Sequence, residues 1–210
     1  MLKVISFDLD GTLVKNKFAD SVWLKGFPKL YAREKKISEI EAKKFLYSEY
    51  KKVGKENKEW YDIDWWFKRF KINEDWINLL KSYSHIIGLY PETNKILNNL
   101  CRKFKLIIIS NAKKEFIDIQ IEKTKIINYF ECVFSSLSDF NSVKKYPDVY
   151  RNVCKKIRIE PSEIIHIGDN KEFDYISPSK IGIQSYYLDR EKSEKGDNII
   201  YNLDEILDKI

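Results

Sequence analysis

Two regimes of hydrophobic patterning divide this chain. In the first, short apolar runs end abruptly in polar residues, as Val4-Ile5-Ser6-Phe7 does in Asp8-Leu9-Asp10-Gly11-Thr12-Leu13. Such a run, bounded by a turn signal, predicts a buried β-strand. Leu106–Ile109, Cys132–Ser135, Ile164–Ile167 and Ile183–Leu188 predict four more. Helical patterns separate most of them, for example over Lys113–Lys123 and Val149–Ile157. Strands alternating with helices take right-handed crossovers and form a mostly parallel, doubly wound α/β sheet. Ligands of such sheets bind outside the carboxyl ends of the strands. Polar residues gather at those ends: Asp8 after the first strand, Ser110-Asn111 after the second, Gly168-Asp169-Asn170 after the fourth.

The second regime runs from about residue 15 to 88 and contains no strand pattern. Ala19–Lys36, Ser38–Val53 and Ile63–Phe70 read as helices. Ser38 and Glu41 supply a capping box for the second of them, and Pro28 is expected to kink or break the first. Positions 63, 66, 67 and 70 share a helical face, so the aromatic group Trp60, Tyr61, Trp65, Trp66, Phe67, Phe70 and Trp76 predicts a hydrophobic core of this block. The expected organisation is an α/β core domain of residues 1–14 and 89–210, with a helical cap domain of residues 15–88 inserted over the strand ends.

Composition changes this picture little. A chain of 210 residues, 43% apolar and 33% charged, is long enough for one globular domain plus a modest insert. The net charge of +6 comes from 38 basic and 32 acidic residues mixed along the chain. That pattern is a solvated surface, not a nucleic-acid footprint. Cys101, Cys132 and Cys154 are odd in number and lack CxxC spacing, which argues against a disulfide framework or a zinc site and predicts buried free thiols. No apolar stretch is long enough to span a membrane, and a strand bearing two acids does not read as a signal peptide. A cytoplasmic location is expected, with the oligomeric state open between monomer and dimer.

The chemistry concentrates at the first strand end. Strand alternation places Asp8 and Asp10 on one side, and two carboxylates there are costly unless a cation or partner offsets them. Asp8 can act as a carboxylate nucleophile. Asp10, two residues on, can protonate a leaving alkoxide and then deprotonate water, because a neighbouring acid raises its pKa in the required sense. Gly11 allows a sharp turn, and the Thr12 hydroxyl is available to hold it. His166 reads as a satisfied core histidine, and His85 has no assigned role.

Together these residues resemble the four motifs of the haloacid dehalogenase superfamily, in its phosphatase form, over the whole length and in the family's order. Asp8–Thr12 is similar to the first motif, Ser110 to the second, Lys144 to the third, and Asp169 with Asp174 to the fourth; the overall pattern also resembles archaeal members. The resemblance implies Mg²⁺ held by the Asp8 carboxylate, the Asp10 backbone carbonyl and Asp169, with Asp174 and Thr12 in supporting positions around them. It also implies that Ser110, Asn111 and Lys144 bind the phosphate of a small phosphate ester. Lys144 is chosen over Lys145 because Pro147 and Tyr150 lie three and six residues beyond it, as in the family's third motif. The alternatives are a haloacid dehalogenase or phosphomutase on the same fold, and a catalytically silent binding module. Asp10 and Asp169 argue against the dehalogenase, since halide departs without a proton.

Overall fold

The computed structural model describes residues 1–210. Strand β1 (Val4–Phe7) leads into a helical stretch of α1 (Lys17–Ser21), a π-helical turn (Val22–Gly26), α2 (Phe27–Lys35), α3 (Glu39–Val53), α4 (Ile63–Arg69) and α5 (Trp76–Tyr83). The chain then continues through α6 (Thr93–Leu100), β2 (Lys105–Ser110), α7 (Lys114–Thr124), β3 (Cys132–Ser135), α8 (Ser136–Phe140) and α9 (Asp148–Ile157). It closes with β4 (Ile164–Gly168), a π-helical turn (Lys171–Ile176), α10 (Ser177–Ser179), β5 (Gln184–Leu188) and β6 (Ile199–Ile200).

The six strands form one parallel sheet in the order β3-β2-β1-β4-β5-β6. The chain winds outward from β1 in one direction, then returns and winds outward in the other, so the reversal lies beside β1. That is where an open α/β sheet leaves a crevice for ligands. Alternate residues feed the two faces. Ile5, Phe7, Ile108, Ile165 and Ile167 pack on one side with Leu97 and Ile117, while Val4, Ile107, Ile109 and Ile164 pack on the other with Tyr150 and Val153.

A third apolar cluster belongs to the helices before residue 88. Phe18, Phe27, Leu46, Ile63 and Trp66 are fully buried in it, and Phe116 of α7 joins them from the sheet side. Of the seven aromatics expected to form this core, Trp66 and Phe67 are buried in it, Trp60, Trp65, Phe70 and Trp76 pack against it partly buried, and Tyr61 stands outside it, turned to the cavity at the strand ends. Ser38 caps α3 with both halves of the capping box: its Oγ accepts from the Glu41 N–H at 3.2 Å, and its own N–H donates to the Glu41 carboxylate at 3.0 Å.

Several expectations need correction. Pro28 does not break its helix. It sits in the first turn of α2, directly after the π-helical turn, so the chain stays helical from Lys17 to Lys35; a π-turn widens the backbone ladder where a proline's missing N–H would otherwise leave a gap. Strand β5 starts at Gln184, and the short β6 was too brief to show a pattern. Helices α5 and α6 also went unpredicted. Only Cys154 is a buried thiol; Cys101 is exposed and Cys132 intermediate, because Cys101 ends α6 in a solvent-facing turn.

Candidate active site

The parallel register brings three strand ends level. Phe7 pairs with Ile108 of β2 and with Ile167 of β4, and the Asp8 N–H donates to the Ile167 carbonyl at 2.9 Å. Asp8, Ser110 and Asp169 therefore emerge side by side. Strand β1 stops at Phe7, so Asp10 reaches the same crevice through a loop and not by strand alternation.

Lys144 arrives from the loop after α8. Its side chain is almost fully buried, which a lysine tolerates only when paired. The ammonium donates to the Asp8 carboxylate, to Asp174 at 2.6 Å and to the Ile109 carbonyl at 3.1 Å. Its backbone N–H donates to Asn111 Oδ1 at 2.7 Å, which leaves the Asn111 amide nitrogen free to donate elsewhere. Lys145 goes the other way: its side chain is more than a third exposed and lies 3.5 Å from Glu172.

Asp174 has both oxygens engaged. Oδ1 takes Lys144 and faces His166 Nε2 at 3.2 Å, and Oδ2 accepts the Asn170 N–H at 2.9 Å. His166 is a core residue, but not an idle one. Its Nδ1 lies 2.7 Å from Ser6 Oγ, and burial pushes its pKa down. The neutral ring can thus donate through Nε2 to Asp174, while its Nδ1 meets the Ser6 hydroxyl, which also donates to the Ile165 carbonyl at 3.0 Å. Alternation signalled this: His166 shares the face of Ser6, its register partner on β1.

The electrostatics follow from burial. Asp10 is pushed up to about 6 by desolvation. Desolvation, reinforced by the Asp174 charge, pushes Asp169 up to about 7. Asp8 is also raised, by burial, against the opposing pull of Lys144. Burial acts the same way on Asp174, but Lys144 and His166 outweigh it and hold that carboxyl down at about 2. Burial would lower Lys144, but Asp174 and Asp8 hold it above the usual lysine range.

Asp8, Asp169 and Asp174 each offer a carboxylate oxygen, all within 4.8 Å of one another. One lysine among three acids leaves excess negative charge, and hard oxygen donors suit a divalent cation. Two glycines make room for them. A Cβ on Gly11, at φ +83°, would fall 2.0 Å from Asp169 Oδ2, and one on Gly168 would fall 2.3 Å from Asp174 Cγ. The Thr12 hydroxyl does not hold the turn as expected: it is buried without a partner. The loop curls so that the Thr12 carbonyl, not the hydroxyl, meets a donor, Arg190 at 2.9 Å.

Asp8, Asp10, Ser110, Asn111, Lys144 and Asp169 all line one cavity of about 250 Å³, and Asp174 reaches it as well. Its upper walls are Trp23, Trp60 and Tyr61 from the helical block, facing Phe116 and Phe173 from the sheet side. Trp23 and Phe116 stack across this seam with centroids 6.0 Å apart. Lys113 closes it with an ion pair to Asp62 at 2.8 Å. The aromatic wall residues Trp23, Phe116 and Phe173 carried no motif, so the sequence did not flag them.

Comparison with known proteins gives the chain its relatives. The profile of the haloacid dehalogenase-like hydrolases matches residues 5–188. A glyceraldehyde 3-phosphate phosphatase of Pyrococcus abyssi is 26% identical over 203 residues, which are 90% of this chain and 82% of that protein. The 5-amino-6-(5-phospho-D-ribitylamino)uracil phosphatase YigB of Escherichia coli is 28% identical over 121 residues, 58% of this chain. The match takes in 47% of YigB, and a zebrafish (Danio rerio) relative is matched over 36% of its length. Among solved structures, a HAD phosphatase from Thermococcus onnurineus superposes with a TM-score of 0.87 at 25% identity, covering 99% of this chain and 97% of its own.

Proposed function

This chain belongs to the haloacid dehalogenase-like hydrolases, and from that premise we propose that it is a Mg²⁺-dependent phosphatase of small phosphate monoesters, working through a phosphorylated Asp8. The observation that carries the reading is Asp10. Its carboxyl is held near 6 by burial, its Oδ1 has no hydrogen-bond partner, and it opens into the cavity of Asp8. A poised acid beside a carboxylate nucleophile serves an alkoxide leaving group and has no task in halide displacement.

Asp8 attacks phosphorus as the bond to the ester oxygen breaks, and the Asp10 proton passes to that oxygen. Water then attacks the aspartyl-phosphate, returns a proton to Asp10 and releases phosphate and free Asp8. Lys144 neutralises charge on Asp8 and on the transferring group. Ser110 Oγ accepts the Ala112 N–H at 3.1 Å, which turns its hydroxyl proton toward a phosphoryl oxygen. Asn111 donates through its free amide. Asp8, Asp169 and the Asp10 backbone carbonyl would hold Mg²⁺, with Asp174 keeping Lys144 in place. When bound, the cation offsets negative charge on the phosphoryl oxygens.

The helices of residues 15–88 act as the cap. They supply Trp23, Trp60 and Tyr61 above the phosphate, and a cavity of about 250 Å³ suits a small alcohol portion, as in the triose phosphate of the Pyrococcus relative. Closure excludes water from the reacting group. The test is release of phosphate from phenyl and 4-nitrophenyl phosphates after EDTA treatment, with and without Mg²⁺, and chloroacetate as a halide control. Mg²⁺ should restore hydrolysis, and Asp8→Asn should abolish it. Chelator-resistant turnover, or chloride release in place of phosphate, would overturn the reading.

A further inference from the structure

Asp10 is poorly held by its own side chain. Oδ1 has no partner, and Oδ2 meets only Gln120 Nε2 at 3.4 Å. Its aim therefore comes from how its loop is held: the Gly11 N–H donates to the Val14 carbonyl at 2.7 Å, and the Leu13 and Val14 N–H groups donate to the Leu9 carbonyl at 3.0 and 2.9 Å, which closes the loop on itself. There the chain turns at Gly11, and no loop or turn N–H donates to the carbonyls of Gly11 or Thr12. Arg190, just beyond β5, takes both. Its Nε donates to the Gly11 carbonyl at 3.2 Å and its Nη2 to the Thr12 carbonyl at 2.9 Å.

The guanidinium is itself fixed from two other sides. Nη1 donates to the Glu92 carboxylate at 2.7 Å, and the group lies over the Tyr90 ring, 3.5 Å from its centroid. Tyr90 and Glu92 lie in the segment that returns from the helical block, where the Tyr90 N–H donates to the Leu13 carbonyl at 3.1 Å. A planar fork with five donors fits two carbonyls and a carboxylate at once, which an ammonium cannot do.

We infer that Arg190 is a positioning residue that aims Asp10 by fixing the Gly11 and Thr12 carbonyls of its loop against the sheet, with Glu92 and Tyr90 as its anchor. The inference rests on the reading of Asp10 as the proton donor. Misplacing such a group by about 1 Å costs on the order of 10²-fold in rate, and the loss falls on leaving groups that need the proton.

Phenyl and 4-nitrophenyl phosphates are nearly the same shape but differ in leaving-group basicity, and kcat/KM reads only the steps up to departure of the alcohol, so their kcat/KM ratio reports protonation and not folding. Arg190→Gln should lose about ten times more kcat/KM on phenyl phosphate than on the nitrophenyl ester. Arg190→Lys should recover only part of it, because a point charge lacks the fork. Asp10→Asn, in the same assay, calibrates the ratio expected when the proton donor is lost. If Asp10→Asn shifts the ratio and Arg190→Gln does not, or slows both esters equally, the clamp is wrong and the phosphatase reading stands. If Asp10→Asn leaves the ratio unmoved, the proton-donor role falls and takes the clamp with it. Should Arg190→Gln fail to fold, Glu92→Ala frees the guanidinium from its anchor and is read by the same ratio: a shift in the Asp10→Asn direction supports the clamp, an unchanged ratio overturns it.

Discussion

A lysine ammonium survives inside a protein only when acceptors surround it, and Lys144 has three. Lys145, its neighbour, points to solvent beside Glu172. The two substitutions should therefore behave differently. Lys144→Ala should lower kcat on 4-nitrophenyl phosphate by about 10²–10³, while Lys145→Ala stays near wild type; the opposite ranking in steady-state kinetics would move the role to Lys145. The acids carry a second expectation. Asp169 titrates near 7, raised by burial and by Asp174, so below that pH it holds a proton, and a protonated carboxyl cannot ligate. Burial raises Asp8, the other carboxylate of the site, in the same sense, so metal binding must expel protons and Mg²⁺ affinity should weaken by at least about tenfold per pH unit below 7. Calorimetric titration at several pH values, in buffers of differing ionisation heat, measures both the affinity and the protons released; a pH-independent affinity with no proton release would show that binding expels no proton from Asp169. The polar residues lining the cavity were legible because strand ends and motif spacing announce themselves: Lys144 was separable from Lys145 by Pro147 and Tyr150 alone. The aromatic walls and Arg190 were not: Trp23, Phe116 and Phe173 belong to no motif, and the partners of Arg190 lie 98 and 179 residues away (Glu92 and Gly11).

At the scale of elements, α7 matters most. It belongs to the sheet by sequence order, yet its Phe116 is buried in the helical cluster and stacks on Trp23. Phe116→Ala should remove about 3–5 kcal/mol of stability through the cavity it leaves. It should also loosen the helices over the sheet, read as a lower urea midpoint; a midpoint equal to wild type would mean the seam holds without it. The strands were readable as apolar runs because a parallel sheet buries both faces. α5 and α6 were not, because each is only eight residues long: Trp76, Ile77, Leu79 and Leu80 in one and Ile96, Leu97 and Leu100 in the other have helical spacing, but over too short a stretch to stand apart from the turns around them. Pro28 acts locally: the regular helix gives way to the π-turn directly before it and resumes with the proline in its first turn, so the chain stays helical without a break.

On the scale of the whole molecule, the sheet and the helical block have separate apolar clusters but share one seam. The seam is crossed by the Asp62–Lys113 ion pair, by Lys58 donating to Asn141 Oδ1 at 2.8 Å, and by the Trp23–Phe116 stack. No helix is long and apolar enough to cross a membrane. One distribution in this architecture has a practical side. All five tryptophans, Trp23, Trp60, Trp65, Trp66 and Trp76, lie in the helical block, and the sheet has none. Indole emission therefore watches the helices alone, while tyrosines such as Tyr150 and Tyr186 sit in the sheet's own cores. An optical experiment can follow the helical block by itself through its indole emission, without any label, and ask whether it melts with the circular-dichroism signal of the whole molecule or before it.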